Sequence, residues 1–165
     1  MAHSREEVQA AVEKYIAVRD QICAGNGTWL GLAQFFTDDA VFIDPAWGRV
    51  EGIEEMKATV FGAAMVGLEE WKFPTEFSMI DGDTVVVKWS EVLPGRRADG
   101  SEYVQSGYST LVYAGDGKFC YEEDLLNMAH VFEDMKESGF RAPPGMGMPP
   151  KEPNRDFSRP ERARR

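Results

Sequence analysis

Phe36-Thr37-Asp38-Asp39-Ala40-Val41-Phe42-Ile43-Asp44-Pro45, continuing through Val50-Glu51-Gly52-Ile53-Glu54-Glu55-Met56, is the stretch on which the reading of this chain turns. Asp38-Asp39 reads as a turn, and Ala40 to Asp44 as a strand from its β-branched and aromatic content. Pro45 ends the strand, because it cannot donate to a ladder. Trp47 to Glu51 reads as the return arm of a short hairpin. Gly52 opens a helix with Ile53, Met56, Val60 and Ala64 on one face.

Upstream, residues 4–23 carry a helix signature. Ser4 and Glu7 have capping-box spacing, and Val8, Val12, Tyr15, Ile16, Ile22 and Cys23 recur on one apolar face. Ala24-Gly25-Asn26-Gly27 breaks the helix. Thr28 then stands as the cap of a short second helix with Trp29, Leu32, Phe35 and Phe36.

Downstream the pattern changes to strands. Trp71 to Ile80 is one, interrupted by Pro74 and so placed at an edge or bend. Asp81-Gly82-Asp83 is a hairpin turn. Thr84 to Leu93, Tyr103 to Tyr113 and Lys118 to Leu125 follow, and Met128 to Ser138 is a helix with Gly139 as its C-cap. Helices first and antiparallel strands after predict an α+β fold. A sheet about six strands wide curls by its own twist. Helices in its concave side leave a cleft of the kind that holds small ligands.

Composition limits the function classes. The 165 residues are 43 % apolar and 28 % charged, sufficient for one domain with a real core. No apolar run reaches membrane-spanning length and the N-terminus lacks a signal-peptide stretch, so the expectation is a cytoplasmic protein with no membrane partner. Cys23 and Cys120 read as reduced packing residues. The net charge is −10, yet residues 141–165 are +4, which leaves −14 on residues 1–140. An acidic body argues against nucleic-acid partners. Six of the nine prolines fall in the last 25 residues. The expected organisation is therefore a domain over 1–140 and a Pro-rich basic arm over 141–165. The arm is either loose or a strap across the body near the cleft mouth.

The 36–56 stretch, with Gly117-Lys118 leading into Glu123-Asp124-Leu125-Leu126-Asn127, resembles the nuclear transport factor 2 superfamily. Within it the closer likeness is to the SnoaL-like and ketosteroid-isomerase-like members, over roughly residues 5–127. The resemblance implies a cone-shaped α+β barrel, with three N-terminal helices packed in a strongly curved, mostly antiparallel sheet. It implies cofactor-free proton transfer on a hydrophobic molecule: isomerisation, dehydration or cyclisation. No Cys/His/Asp set in the sequence has metal spacing, so no metal is expected. The same superfamily also holds members without chemistry. In the steroid isomerases a carboxylate base moves a proton beside a carbonyl while a tyrosine and an aspartic acid donate to the enolate oxygen. The resemblance places Asp44 at the base and Tyr15 at the tyrosine. It puts Ser109, a weaker donor, where the aspartic acid would be. It gives Asp124 an acid or base role.

Each candidate also has a plainer reading. Asp44 can be a turn carboxylate before Pro45, Tyr15 a core tyrosine, and Asp124 a helix-start carboxylate. Phe42 shares the strand face of Asp44. Trp47 and Trp89, with Trp29 and Trp71, are core residues or the walls of an apolar pocket. Asn127 and His130 are candidate ligand contacts, with an exposed His130 as the alternative. Glu122 and Glu123 read as solvated edge residues. A homodimer is expected through an outer sheet face bearing Thr84, Val86, Lys88, Tyr108, Thr110 and Val112. The rival to an enzyme is a ligand-binding or dimerisation module of the same fold.

Overall fold

The structure is a computed structural model that describes residues 3–164. Helix α1 spans Arg5–Cys23, and Ser4 Oγ accepts from the Glu7 amide at its start. The reciprocal half of the capping box is absent, because the Glu7 carboxylate accepts from Tyr113 Oη instead, at 2.8 Å. The second helix is a 3-10 segment, Trp29–Phe35. The third is shorter than its apolar spacing predicts. Helix α2 covers only Ile53–Ala58, followed by a 3-10 turn at Ala63–Met65. Gly62 sits between them, where a Cβ would strike the Lys57 and Ala58 carbonyls. Ile53, Met56 and Val60 nonetheless remain buried, as their spacing requires.

The six strands are β1 (Phe36–Asp44), β2 (Gly48–Glu51), β3 (Thr75–Asp81), β4 (Thr84–Leu93), β5 (Tyr103–Gly115) and β6 (Lys118–Leu126). They form one sheet in the order β2-β1-β6-β5-β4-β3. Only the β1–β6 pairing is parallel; the others are antiparallel. The architecture is the curved α+β cone, with α1 and the short helices on the concave side. Strand β1 begins at Phe36, four residues earlier than expected. Its register with β6 jumps between Phe36 and Val41, so Asp38 and Asp39 lie on the irregular part of a strand rather than in a free turn. The Pro74 interruption holds: Lys72 pairs with Val92 in an isolated bridge, and the continuous strand starts at Thr75.

A second irregularity positions the site. Val112 pairs with Tyr121 but Tyr113 pairs with Phe119, which leaves Cys120 as an extra residue on β6. Such a bulge shifts the alternation by one. Phe119 joins the main core inside the cone, Tyr121 faces the outer side, and Glu122 returns to the inside.

Helix α3, Met128–Ser138, closes one side of the cone. Asp134 is buried and accepts from Arg97 and Gln105, which ties the helix to the β4–β5 loop and β5. Residues 141–164 run back over the body. Gly147 N donates to the Ala63 carbonyl, Arg49 N donates to the Asn154 carbonyl, and Arg162 pairs with Asp39. Ala163 is buried against Val41, Ile43, Val112, Cys120 and Tyr121 on the outer sheet face. Val112 is therefore covered by the chain's own arm and leaves the face expected to dimerise. No helix among the described residues is long and apolar enough to cross a membrane.

Candidate active site

The concave side holds a cavity in two adjoining chambers. The outer one, about 240 Å³, is walled by Trp47, Trp71, Trp89 and Phe42, by Val131 and Met135 of α3, and by Met146 and Met148 of the arm. The inner one, about 90 Å³, is bounded by Tyr15, Arg19, Trp29, Phe61 and Glu122. Phe42, Phe73, Trp89 and Asp124 line both. All four tryptophans thus border the cavity.

Alternation along the strands puts carboxylates on these walls. On β1, Phe42 and Asp44 face the outer chamber together, two residues apart. Asp44 Oδ1 accepts from the backbone amides of Ala46 and Trp47, each at 2.7 Å. This is the turn role allowed by Pro45, and it leaves Oδ2 free of the turn. Burial pushes the Asp44 carboxyl above its ordinary value, while the two amide bonds pull the other way. On β4 the inward set is Val85, Val87, Trp89, Glu91 and Leu93. Glu91 is buried in the outer chamber's wall, and its Oε2 has no hydrogen-bond partner among the described residues. Burial, then repulsion from Asp44 and Asp134, raises its pKa to about 7.

At the junction of the chambers a hydrogen-bonded chain crosses three strands. Trp89 Nε1 donates to Ser109 Oγ at 2.9 Å, and Ser109 Oγ donates to Asp124 Oδ1 at 2.5 Å. Glu122 lines the inner chamber beside Asp124, and Tyr15 Oη donates to Glu122 Oε1 at 2.9 Å. Burial first, and then the Glu122 charge, hold the Asp124 carboxyl well above the usual range. Two carboxyls this close in an apolar wall share protons rather than both ionise. The Tyr15 hydroxyl is likewise pushed up by burial and by Glu122.

The sequence-predicted residues divide accordingly. Asp44, Asp124, Phe42, Trp47 and Trp89 meet on the outer chamber. Tyr15 lies on the inner one, and Asp124 is the residue that joins it to Asp44. Ser109 is a layer behind, holding Asp124 and Trp89 rather than bordering the cavity. Asn127 and His130 are corrections. Asn127 caps α3, its side-chain oxygen accepting from the His130 amide, and both residues are exposed outside the cavity. Glu122 is another: the Cys120 bulge turns it into the interior, where it is 3 % exposed, instead of leaving it at a solvated edge. Glu91 and Arg19 were missed. The signals were an acid at inward parity in β4, and an arginine on the apolar stripe Val12, Tyr15, Arg19, Ile22 of α1. Among the described residues no three His, Cys, Asp or Glu converge to hold a metal ion.

A family model described as SnoaL-like domain matches residues 5–122. A search of curated proteins returns no match. Among solved structures, the chain is similar to one described as a SnoaL-like polyketide cyclase from Jannaschia sp. CCS1. The TM-score is 0.62 at 21 % identity, covering 87 % of this chain and 99 % of that one. It is also similar to TerC co-crystallised with polyporic acid, at TM-score 0.59 and 17 % identity, over 79 % and 98 % of the two chains. A protein of ketosteroid isomerase-like fold from Catenulispora acidiphila, in complex with trimethylamine, matches at TM-score 0.54 and 16 % identity, over 77 % and 94 %. At these identities the structural likeness establishes the fold.

Proposed function

The chain belongs to the SnoaL-like domain family, and on that footing we propose that its cavity binds a small hydrophobic, oxygen-bearing molecule and catalyses cofactor-free proton transfer on it. The observation that carries this reading is that Asp44 and Asp124 face one apolar chamber in different protonation environments. Carboxyls whose surroundings separate their pKa values take opposite roles in acid–base chemistry. Asp44, fixed by its turn with Oδ2 free, takes a proton from carbon next to a carbonyl. Asp124, kept protonated and held by Ser109, donates to the carbonyl oxygen as the enol forms. Return of the proton at another carbon completes an isomerisation. Alternatively a hydroxyl leaves as water with the proton that Asp44 took, or the enol carbon attacks a second carbonyl whose oxygen takes that proton, which gives dehydration or cyclisation. Tyr15 supports Glu122 and so acts on the reacting atoms through Asp124. The similar structures, one described as a SnoaL-like polyketide cyclase and one a complex with polyporic acid, fit a polycyclic or aromatic ligand. The outer chamber's size and aromatic walls fit the same class. A cytoplasmic location and a homodimer complete the proposal.

The rival is binding without chemistry, favoured by the use of Asp44 Oδ1 as a turn cap. A panel of steroids, terpenoids and aromatic polyketides, screened by native mass spectrometry and then by product analysis, separates the two. Asp44→Asn keeps the turn acceptor but cannot take a proton, so binding survives and turnover is lost. Ligands that bind and never convert, with wild-type protein as with Asp44→Asn, establish the binding module.

A further inference from the structure

Arg19 is the one charged residue of the inner chamber that the proton-transfer reading leaves without a task. It projects from α1 one turn beyond Tyr15 and is 4 % exposed. Its guanidinium carbon lies 5.5 Å from the ring centre of Trp89, 5.9 Å from that of Tyr15 and 6.0 Å from that of Trp29. Its Nε is buried with no hydrogen-bond partner among the described residues. No carboxylate among them stands within ion-pair distance of it. Glu122 and Asp124 sense its charge from farther away.

Aromatic faces offset part of the cost of burying a cation, but they do not accept its five N–H donors in the geometry of an oxygen. A buried charge with unfilled donors is strongly unfavourable unless an acceptor arrives. The guanidinium fork matches a carboxylate, or the paired oxygens of an ionised hydroxy-ketone, better than any single neutral acceptor. The chamber's small volume admits one functional group or ring edge. Phe42, Phe73 and Trp89 line both chambers, so the rest of the molecule falls in the apolar outer one.

We propose that the inner chamber is an oxyanion subsite. In it Arg19 pairs with an acidic oxygen of the ligand, a carboxylate, phenolate or enolate, so that the substrate class is aromatic or polycyclic acids rather than neutral steroids or terpenoids. This deepens, and rests on, the reading of the cavity as a site for small hydrophobic molecules. The ligand enters with its acidic end towards α1, and the neighbouring Glu122–Asp124 pair retains the proton that leaves Arg19 free for the incoming charge. Such an orientation sets the rest of the molecule past Asp124 at the chamber junction and towards Asp44 in the outer chamber.

The test uses two probes of equal size, 2-naphthoate and naphthalene-2-methanol, titrated calorimetrically against the full chain at pH 7. A charge-assisted pair with Arg19 makes the acid the tighter ligand by about 10- to 100-fold. Arg19→Met, which fills the same space without charge or donors, removes that preference. Arg19→Lys, which keeps the charge and loses the fork, retains part of it. Arg19→Met also melts no lower than the parent, since it relieves a buried unpaired charge. If it fails to fold, the acid-to-alcohol ratio of the unaltered protein decides alone. Equal binding of both probes overturns the oxyanion subsite and leaves the apolar cavity standing. A preference that persists in folded Arg19→Met also overturns it. Binding of neither probe removes the cavity reading and the subsite together.

Discussion

At Glu91 the folded chain holds a carboxyl proton up to about pH 7, whereas an ordinary glutamate releases it near 4.5. Between those values the folded state binds more protons than the unfolded one, so stability falls as pH rises across that window. The shift corresponds to at most about 3 kcal/mol, fully expressed above pH 7 and absent below 4.5. Glu91→Gln removes this loss. Thermal denaturation is expected to show the variant more stable than the parent at pH 8 and equal to it at pH 4. Equal stability at pH 8 would mean that Glu91 reaches solvent. Asp44→Asn is expected to keep the fold and end turnover, because the amide oxygen still accepts from Ala46 and Trp47 but takes no proton. Activity surviving in Asp44→Asn, measured on any converted ligand, would move the base role to Asp124. Asp44 was legible in the sequence because strand parity and a family likeness converge on it, and Asp124 from the family likeness alone. Glu122 was not, since one extra residue at Cys120 reverses the face of everything after it, and a bulge leaves no mark in composition. Arg19 was legible in principle, as a cation inside an apolar stripe, but helical spacing alone does not tell a buried arginine from one that snorkels to water.

Among the elements, the strands were read within a few residues, the first and last helices almost to the residue, and the helix after Gly52 too long. Apolar spacing at Ile53, Met56, Val60 and Ala64 predicts a continuous helix. The chain instead leaves α-geometry after Ala58 while keeping the first three residues buried, because burial constrains which side chains face inward more tightly than it constrains backbone winding. Strand β5 carries a further constraint at Gly107. A Cβ there would run into the six-membered ring of Trp89, and an isolated glycine inside a strand marks such close approach. Gly107→Ala is expected to destabilise by about 1–3 kcal/mol and to tilt Trp89 into the cavity. Chemical denaturation checks the first effect and the near-ultraviolet circular dichroism of tryptophan the second. An unchanged near-ultraviolet signal would show that the ring has room to spare. The arm acts as an element of the site as well. Its Met146, Gly147, Met148 and Pro149 wall the outer chamber, while Arg162 and Asp39 pair at an exposed position that salt screens. We propose that a chain ending at residue 140 still folds, melts only modestly lower and loses much of its ligand affinity. Loss of the folded state on that truncation would place the domain boundary further on.

Over the whole molecule, one face of the sheet is committed to the cavity and the other is partly uncovered. Phe77, Met79, Val104, Tyr108 and Leu125 are exposed on the outer face, and Lys88 lies over the Tyr108 ring at 5.2 Å. Val112, which strand parity assigns to the same face, is covered by Ala163. We propose that the uncovered rows pair two copies of the chain, with light scattering expected to give twice the chain mass. A monomer at working concentration would contradict that. The central claim, an apolar cavity that takes a small molecule, has a built-in reporter. Trp29, Trp47, Trp71 and Trp89 all border the two chambers. Tryptophan emission followed during titration with the steroid, terpenoid and aromatic polyketide panel is therefore the most direct measurement. The account predicts saturable quenching or a spectral shift with at least one polycyclic, oxygen-bearing ligand, diminished in Trp89→Phe. Emission unchanged across the whole panel, with the protein folded throughout, would contradict it.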